Sequence, residues 1–142
     1  MVTNGYARTY RANSVLTASP GQLVLMLYDG ALKSLALARE AFAQPPEDFR
    51  RIQLINTHLL KAQAILAELQ SGLNFEAGGE FASTMHRLYD YHIRRLTEAN
   101  LRKQEAPVAE VERLVRELRD AWAQMLSGQD NTSTIERVRG VA

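Results

Sequence analysis

Val108, Val111, Val115, Leu118, Trp122 and Met125 follow one another at steps of three, four, three, four and three residues. A helix turns once in about 3.6 residues, so this spacing sets all six side chains along one seam. A helix with such a seam does not bury it alone; it packs on other helices. Leu114 and Ala121 widen the stripe. The helix is expected from about Pro107 to just before Gly128. Nothing elsewhere in the chain reads as a strand, so the seam directs the search to further helices.

Three more are legible. In LTASPGQLVLMLYDGALKSL, Ser19 is placed as an N-cap, Pro20 as the first helical residue and Gln22 as the third, which makes a capping box. This helix is expected to reach Phe42 and to stop before Pro45-Pro46. Val24, Leu27, Tyr28, Ala31, Leu35, Ala38 and Phe42 form its stripe, and Leu23, Leu25, Met26, Leu32 and Leu37 are left over. A second helix is expected over about 48–71. Its stripe is Ile52, Ile55, Leu59, Ala62, Leu66 and Leu69, with Leu54, Ile65 and Leu73 off that line and Gly72 as a left-handed C-cap. NFEAGGE reads as a loop. The third helix is expected over about 80–99, with Phe81, Met85, Leu88, His92, Leu96 and Ala99 in its stripe, Tyr89 and Ile93 flanking it, and Asn100 as C-cap.

The chain has 142 residues, one domain's worth, and at that size roughly 68–70% of the unfolded surface can be buried. Four helices of about 20 residues on short connections form an up-down antiparallel bundle. The expected fold is therefore all-α: an antiparallel four-helix bundle over 19–126, an extended arm over 1–18 and a polar C-terminal tail. That tail, 127–142, lacks a periodic face and is expected to be disordered.

Several function classes are weakened. The formal net charge is +1 with no long block of one sign, so nucleic acid is not an expected partner. With no cysteine, neither disulfides nor thiol chemistry are available. The longest apolar run, LVLMLY, has six residues, and the N-terminus lacks a secretion-signal core, so a cytoplasmic protein without membrane insertion is expected. Neither His58, His86 nor His92 has a glutamate three residues before it, and no two are spaced as in His-Glu-x-x-His, so a metal centre is not expected. Spacing leaves a Ser-His-acid triad open, but there is no Gly-x-Ser-x-Gly elbow and no phosphate-binding Gly loop. The expectation is no enzyme and no cofactor. His92 is expected to be a hydrogen-bonded core histidine. Tyr89, Tyr91 and His92 do not make a base-stacking platform, because Tyr89 and His92 lie toward the core.

The surplus of apolar side chains is the informative signal. It is core, a homodimer face, or an exposed groove that receives an amphipathic helix from a partner. Leu54 and Ile65 off the stripe and Leu59 on it, with Ile93 and Leu114 on the later helices, are the groove candidates; each is alternatively core. Asp29 is read as a surface acid paired to an Arg or Lys, or as a functional acid. Gly30 costs about 1 kcal/mol inside a helix, which suggests close packing.

YARTY followed by VLTASPGQLVLMLYDGALKSL resembles the flagellar secretion chaperone family, FliS. The family pattern falls on Tyr6, Tyr10, Val15, Thr17, Ala18, Ser19, Pro20, Leu23, Met26, Leu27, Tyr28, Asp29, Gly30 and Ala31. ILAELQSGLNFEAGGEFA, LYDYHIRRLTEAN with Tyr89, and LRDAW with Trp122 continue the likeness in order, over about residues 6–126. Asn74, where an aspartate is common, and Thr84-Met85, where Asn-Leu is frequent, depart from it. The resemblance implies a cytoplasmic four-helix bundle without catalysis or cofactor. It implies that the bundle binds the disordered C-terminal segment of flagellin, blocks premature polymerisation and delivers the subunit to the flagellar export gate. It also implies that the arm, through Tyr6, Tyr10 and Val15, covers part of the groove and docks at the gate; whether other flagellar regulators also bind the groove, the sequence does not say. The alternative is a helical adaptor or homodimeric structural bundle with no flagellin client.

Overall fold

The computed structural model describes residues 18–141, with side chains described through residue 128. Four helices follow in order: α1 Pro20–Phe42, α2 Arg50–Ser71, α3 Phe75–Arg102 and α4 Ala106–Val141. Helix α1 packs on α2 and α4, and α3 packs on the same two, closing a ring. Cross-helix pairs run in opposite directions along the α2–α3 and α1–α4 seams. Asn56 meets Asn100 while Gln70 meets Asp90, and Arg39 meets Glu105 while Asp29 meets Arg119. The fold is the all-α antiparallel four-helix bundle, with no strand among the described residues.

Every helix presents a stripe of three-and-four spacing to the centre. The buried residues are Tyr28, Ala31, Ser34, Leu35, Ala38, Ala41 and Phe42 on α1, and Ile55, Leu59, Ala62, Leu66 and Leu69 on α2. Helix α3 gives Ala82, Met85, Tyr89, His92, Leu96 and Ala99, and α4 gives Val108, Val111 and Val115. The α3 stripe is thus rotated from the expected one: Ala82 and Tyr89 point inward, and Phe81 is 64% exposed. On α4 the seam is covered only as far as Trp122, whose Nε1 donates to the Gly21 carbonyl at 2.8 Å. Met125 lies past that contact with the first turn of α1 and is exposed.

The ends of the helices follow local chemistry. Ser19 Oγ accepts from the Gln22 amide, and Gln22 Oε1 accepts from the Ser19 amide, so the capping box forms with Pro20 in the first turn. Gly72 is right-handed at φ −84, not the left-handed cap expected, and the left-handed residue is Lys103 after α3. Asn100 stays inside α3, donating to Asn56. NFEAGGE is not a free loop: Asn74 caps a short helical turn by accepting from the Ala77 amide at 3.0 Å. Gly79, at φ 50 and ψ −123, then breaks the axis before the long part of α3. Only glycine takes that conformation without strain. The helical backbone of α4 passes through Gly128 to Val141, where a stop before Gly128 was expected. A lone glycine costs a helix about 1 kcal/mol and does not end it, and no proline follows Pro107.

Polar pairs fix the register. Asn56, Gln63 and Gln70, seven residues apart on α2, reach Asn100, Thr97 and Asp90 on α3 at 2.8 Å each. In the core the Tyr28 and Tyr89 hydroxyls share a hydrogen bond of 2.5 Å. Burial raises the pKa of both phenols. Tyr28→Phe strands the Tyr89 hydroxyl and is expected to lower unfolding free energy by about 1–3 kcal/mol, read from urea melts. The native pair binds its protons more tightly than the unfolded chain does. Its contribution is therefore full below the ordinary tyrosine pKa of about 10 and is lost as pH rises above it.

Candidate client groove

The apolar surplus of α1 is not consumed by the core. Between α1 and α2 lies an open groove of about 750 Å3, lined by Leu23, Met26, Leu27, Gly30, Ile65, Glu68, Ser71 and Gly72. At one end of the bundle, the start of α1, the end of α2, the start of α3 and Trp122 of α4 line a half-open cavity of about 380 Å3. Its walls include Val24, Leu27, Leu69, Leu73, Phe81 and Met85, with Tyr28 and Tyr89 also lining it. Leu27, Glu68 and Gly72 line both, so groove and cavity adjoin along these three residues. A side chain on Gly30 would place its Cβ 3.4 Å from Ile65 Cδ1, an ordinary contact. The glycine stands where α1 and α2 pack against each other, and it leaves the groove floor low between Met26 and Ile65.

A smaller notch of about 220 Å3 lies on the far side, between α3 and α4, lined by Leu88, His92, Leu114, Glu117 and Leu118. His92 is 1% exposed, and its Nδ1 is the one buried side-chain nitrogen or oxygen without a hydrogen-bond partner among the described residues. The expected hydrogen-bonded core histidine is thus only half realised: it is core, with Nδ1 unpartnered. Tyr89 and Tyr91 set their rings edge-on to it at 6.4 and 6.1 Å. Burial holds its pKa below the ordinary value, opposed by the weaker attraction of Glu110. The unfolded chain then takes up more protons as pH falls below about 6.5, and stability drains away down through the folded pKa. His92→Phe is expected to remove this part of the acid sensitivity, seen as a flatter thermal midpoint between neutral and mildly acid pH.

The sequence candidates separate cleanly. Leu59 has no exposed surface and sits in the core stripe, so it is not a groove residue. It lies one turn after Ile55 and one before Ala62, on the inward line. Ile65 lines the groove, and Leu54, 40% exposed, lies on the same side of α2 by helical spacing. Ile93 is partly buried against the core, and Leu114 lines the α3–α4 notch instead. Ser19 and Pro20 build the start of α1. Asp29 is ion-paired with Arg119 of α4 at 2.9 Å, as the surface-acid reading expects, and so links α1 to α4. Tyr6, Tyr10 and Val15 lie outside the described residues. Leu23, Met26, Leu27, Leu69, Leu73 and Phe81 were missed as site residues. The surplus on α1 held the signal for Leu23 and Met26; the rest look like core until the neighbours are known.

Among the described residues no group of three His, Cys, Asp or Glu is placed to hold a metal ion. No described helix is long and apolar enough to cross a membrane. The family model described as flagellar protein FliS matches residues 2–129. The chain is 41% identical over 128 residues to the flagellar secretion chaperone FliS of Bacillus subtilis (strain 168), covering 90% of each chain. It is 40% identical over 121 residues to the FliS chaperone of Salmonella typhimurium, covering 84% of this chain and 86% of the relative. It is 38% identical over 125 residues to that of Escherichia coli (strain K12), covering 87% and 88%. A four-helix bundle with this extent of likeness along nearly its whole length belongs to the FliS family of flagellar secretion chaperones.

Proposed function

We propose that this protein is a cytoplasmic export chaperone whose client is the C-terminal segment of flagellin. The observation that carries the reading is the adjoining apolar groove and cavity beside a well-buried four-helix core. An apolar lane of that kind suits an amphipathic segment that becomes helical as it binds. Covering the segment blocks its polymerisation, and holding it reversibly lets the flagellar export gate receive it. Ordering a disordered client costs about 2–5 kcal/mol, so a long apolar contact is required, and the lane supplies one. The role needs neither cofactor nor catalysis. The arm, through Tyr6, Tyr10 and Val15, is assigned to covering the lane without client and to docking at the gate. It joins α1 at Ser19, and the first turns of α1 border the cavity.

Titration of the protein with the flagellin C-terminal segment of the same organism tests this. The expected result is a one-to-one complex with a strongly negative heat-capacity change, the mark of apolar burial with coupled folding. No complex at high micromolar concentration, together with a tight self-dimer in sedimentation, overturns it in favour of a structural bundle.

A further inference from the structure

Groove and cavity adjoin at Glu68, which among the described residues is the only charged one lining either of them. Several acids at the helix seams are held, Asp29 by Arg119, Glu105 and Glu112 by Arg39, and Glu110 by Arg95 and Tyr91, whereas Glu117 in the α3–α4 notch has no such partner among the described residues. Among the described residues, no ion pair or hydrogen bond reaches the Glu68 carboxylate; only its main-chain carbonyl accepts, from Ser71 and Gly72. A segment running from the groove into the cavity passes over Glu68 and draws its carboxylate out of water. Covering an unpaired carboxylate with apolar groups costs several kcal/mol, and an acidic residue there costs more. A long basic side chain instead lays its methylenes along the apolar wall and brings its charge to the carboxylate.

Resting on the proposed function, we infer that Glu68 is a specificity-determining residue of the lane. It selects a client segment whose apolar stripe is interrupted by one lysine or arginine at the crossing from groove to cavity. A helix N-terminus would also offer donors, but it would end the client helix midway along the path. A basic side chain lets the helix continue.

The test uses the full chain and the flagellin C-terminal segment of the same organism, with affinity measured at low and high salt. Glu68→Gln keeps the shape and removes the charge. It lies on the exposed side of α2 and leaves the core untouched, which circular dichroism verifies. The expected result is about tenfold weaker binding with a flatter salt dependence. Glu68→Lys is expected to weaken binding by about a hundredfold, and one client variant with a single Lys or Arg changed to Glu is expected to restore most of it. Binding by Glu68→Gln within about twofold of the parent, with the same salt dependence, overturns the inference and leaves the function reading standing. So does loss of binding that no charge-reversed segment restores. Absence of binding by the unsubstituted chain defeats both, and is told apart by that control alone.

Discussion

Leu59→Glu unfolds the bundle. Leu59 has no exposed surface and sits among Ile55, Ala62 and Leu66 on the inward line of α2. Even Leu59→Ala is expected to cost about 2–5 kcal/mol, because the lost contacts leave a cavity that close-packed neighbours fill only in part. A carboxylate at that point has no partner and no water, and its cost is comparable to the whole margin of a domain, about 5–15 kcal/mol. Circular dichroism with urea melts is the measurement. A Leu59→Glu protein that keeps its helices and a cooperative transition would contradict the core assigned here.

Ile65→Glu gives the opposite pattern: a folded protein that loses its client. Ile65 is half-buried, faces Gly30 across the groove floor and precedes Glu68 by three residues, so the two carboxylates share one face of α2. The stability loss is expected to be about 1 kcal/mol, as for a substitution outside the closed core. Client affinity is expected to fall about a hundredfold or more, because an anchor at the centre of an apolar contact is replaced by a charge that must be covered. Leu114→Glu, in the notch between α3 and α4, is the control and is expected to leave affinity within about twofold. Equal losses from both substitutions would show that the client wraps the bundle rather than lying between α1 and α2.

The contrast between Leu59 and Ile65 explains what was legible in the sequence. Three-and-four spacing is a local property, and it identified four helices, the capping box at Ser19 and most of the inward stripe. Leu59 stood both on that stripe and among the groove candidates; the stripe was the stronger signal. Phe81 looked like core for its size, yet the turn capped by Asn74 and the break at Gly79 set the phase of α3 so that Ala82 faces inward. The left-handed cap fell on Lys103 and not on Gly72, because where a helix ends depends on the helices beside it as well as on its own residues. The groove was legible only as an excess. Leu23 and Met26 were visibly more than α1 needed, but which neighbours leave them uncovered is a property of the assembled ring. Resemblance supplied the family, and the packing supplied the location of the apolar path.

That location is the central claim, and methyl-labelled spectra of the protein titrated with the flagellin C-terminal segment test it most directly. The account predicts the largest shifts at Leu23, Met26, Leu27, Ile65 and Leu73, with Leu114, Leu118 and Val111 nearly unmoved. Shifts centred on Leu88, Leu114 and Leu118, with Ile65 unmoved, would contradict it.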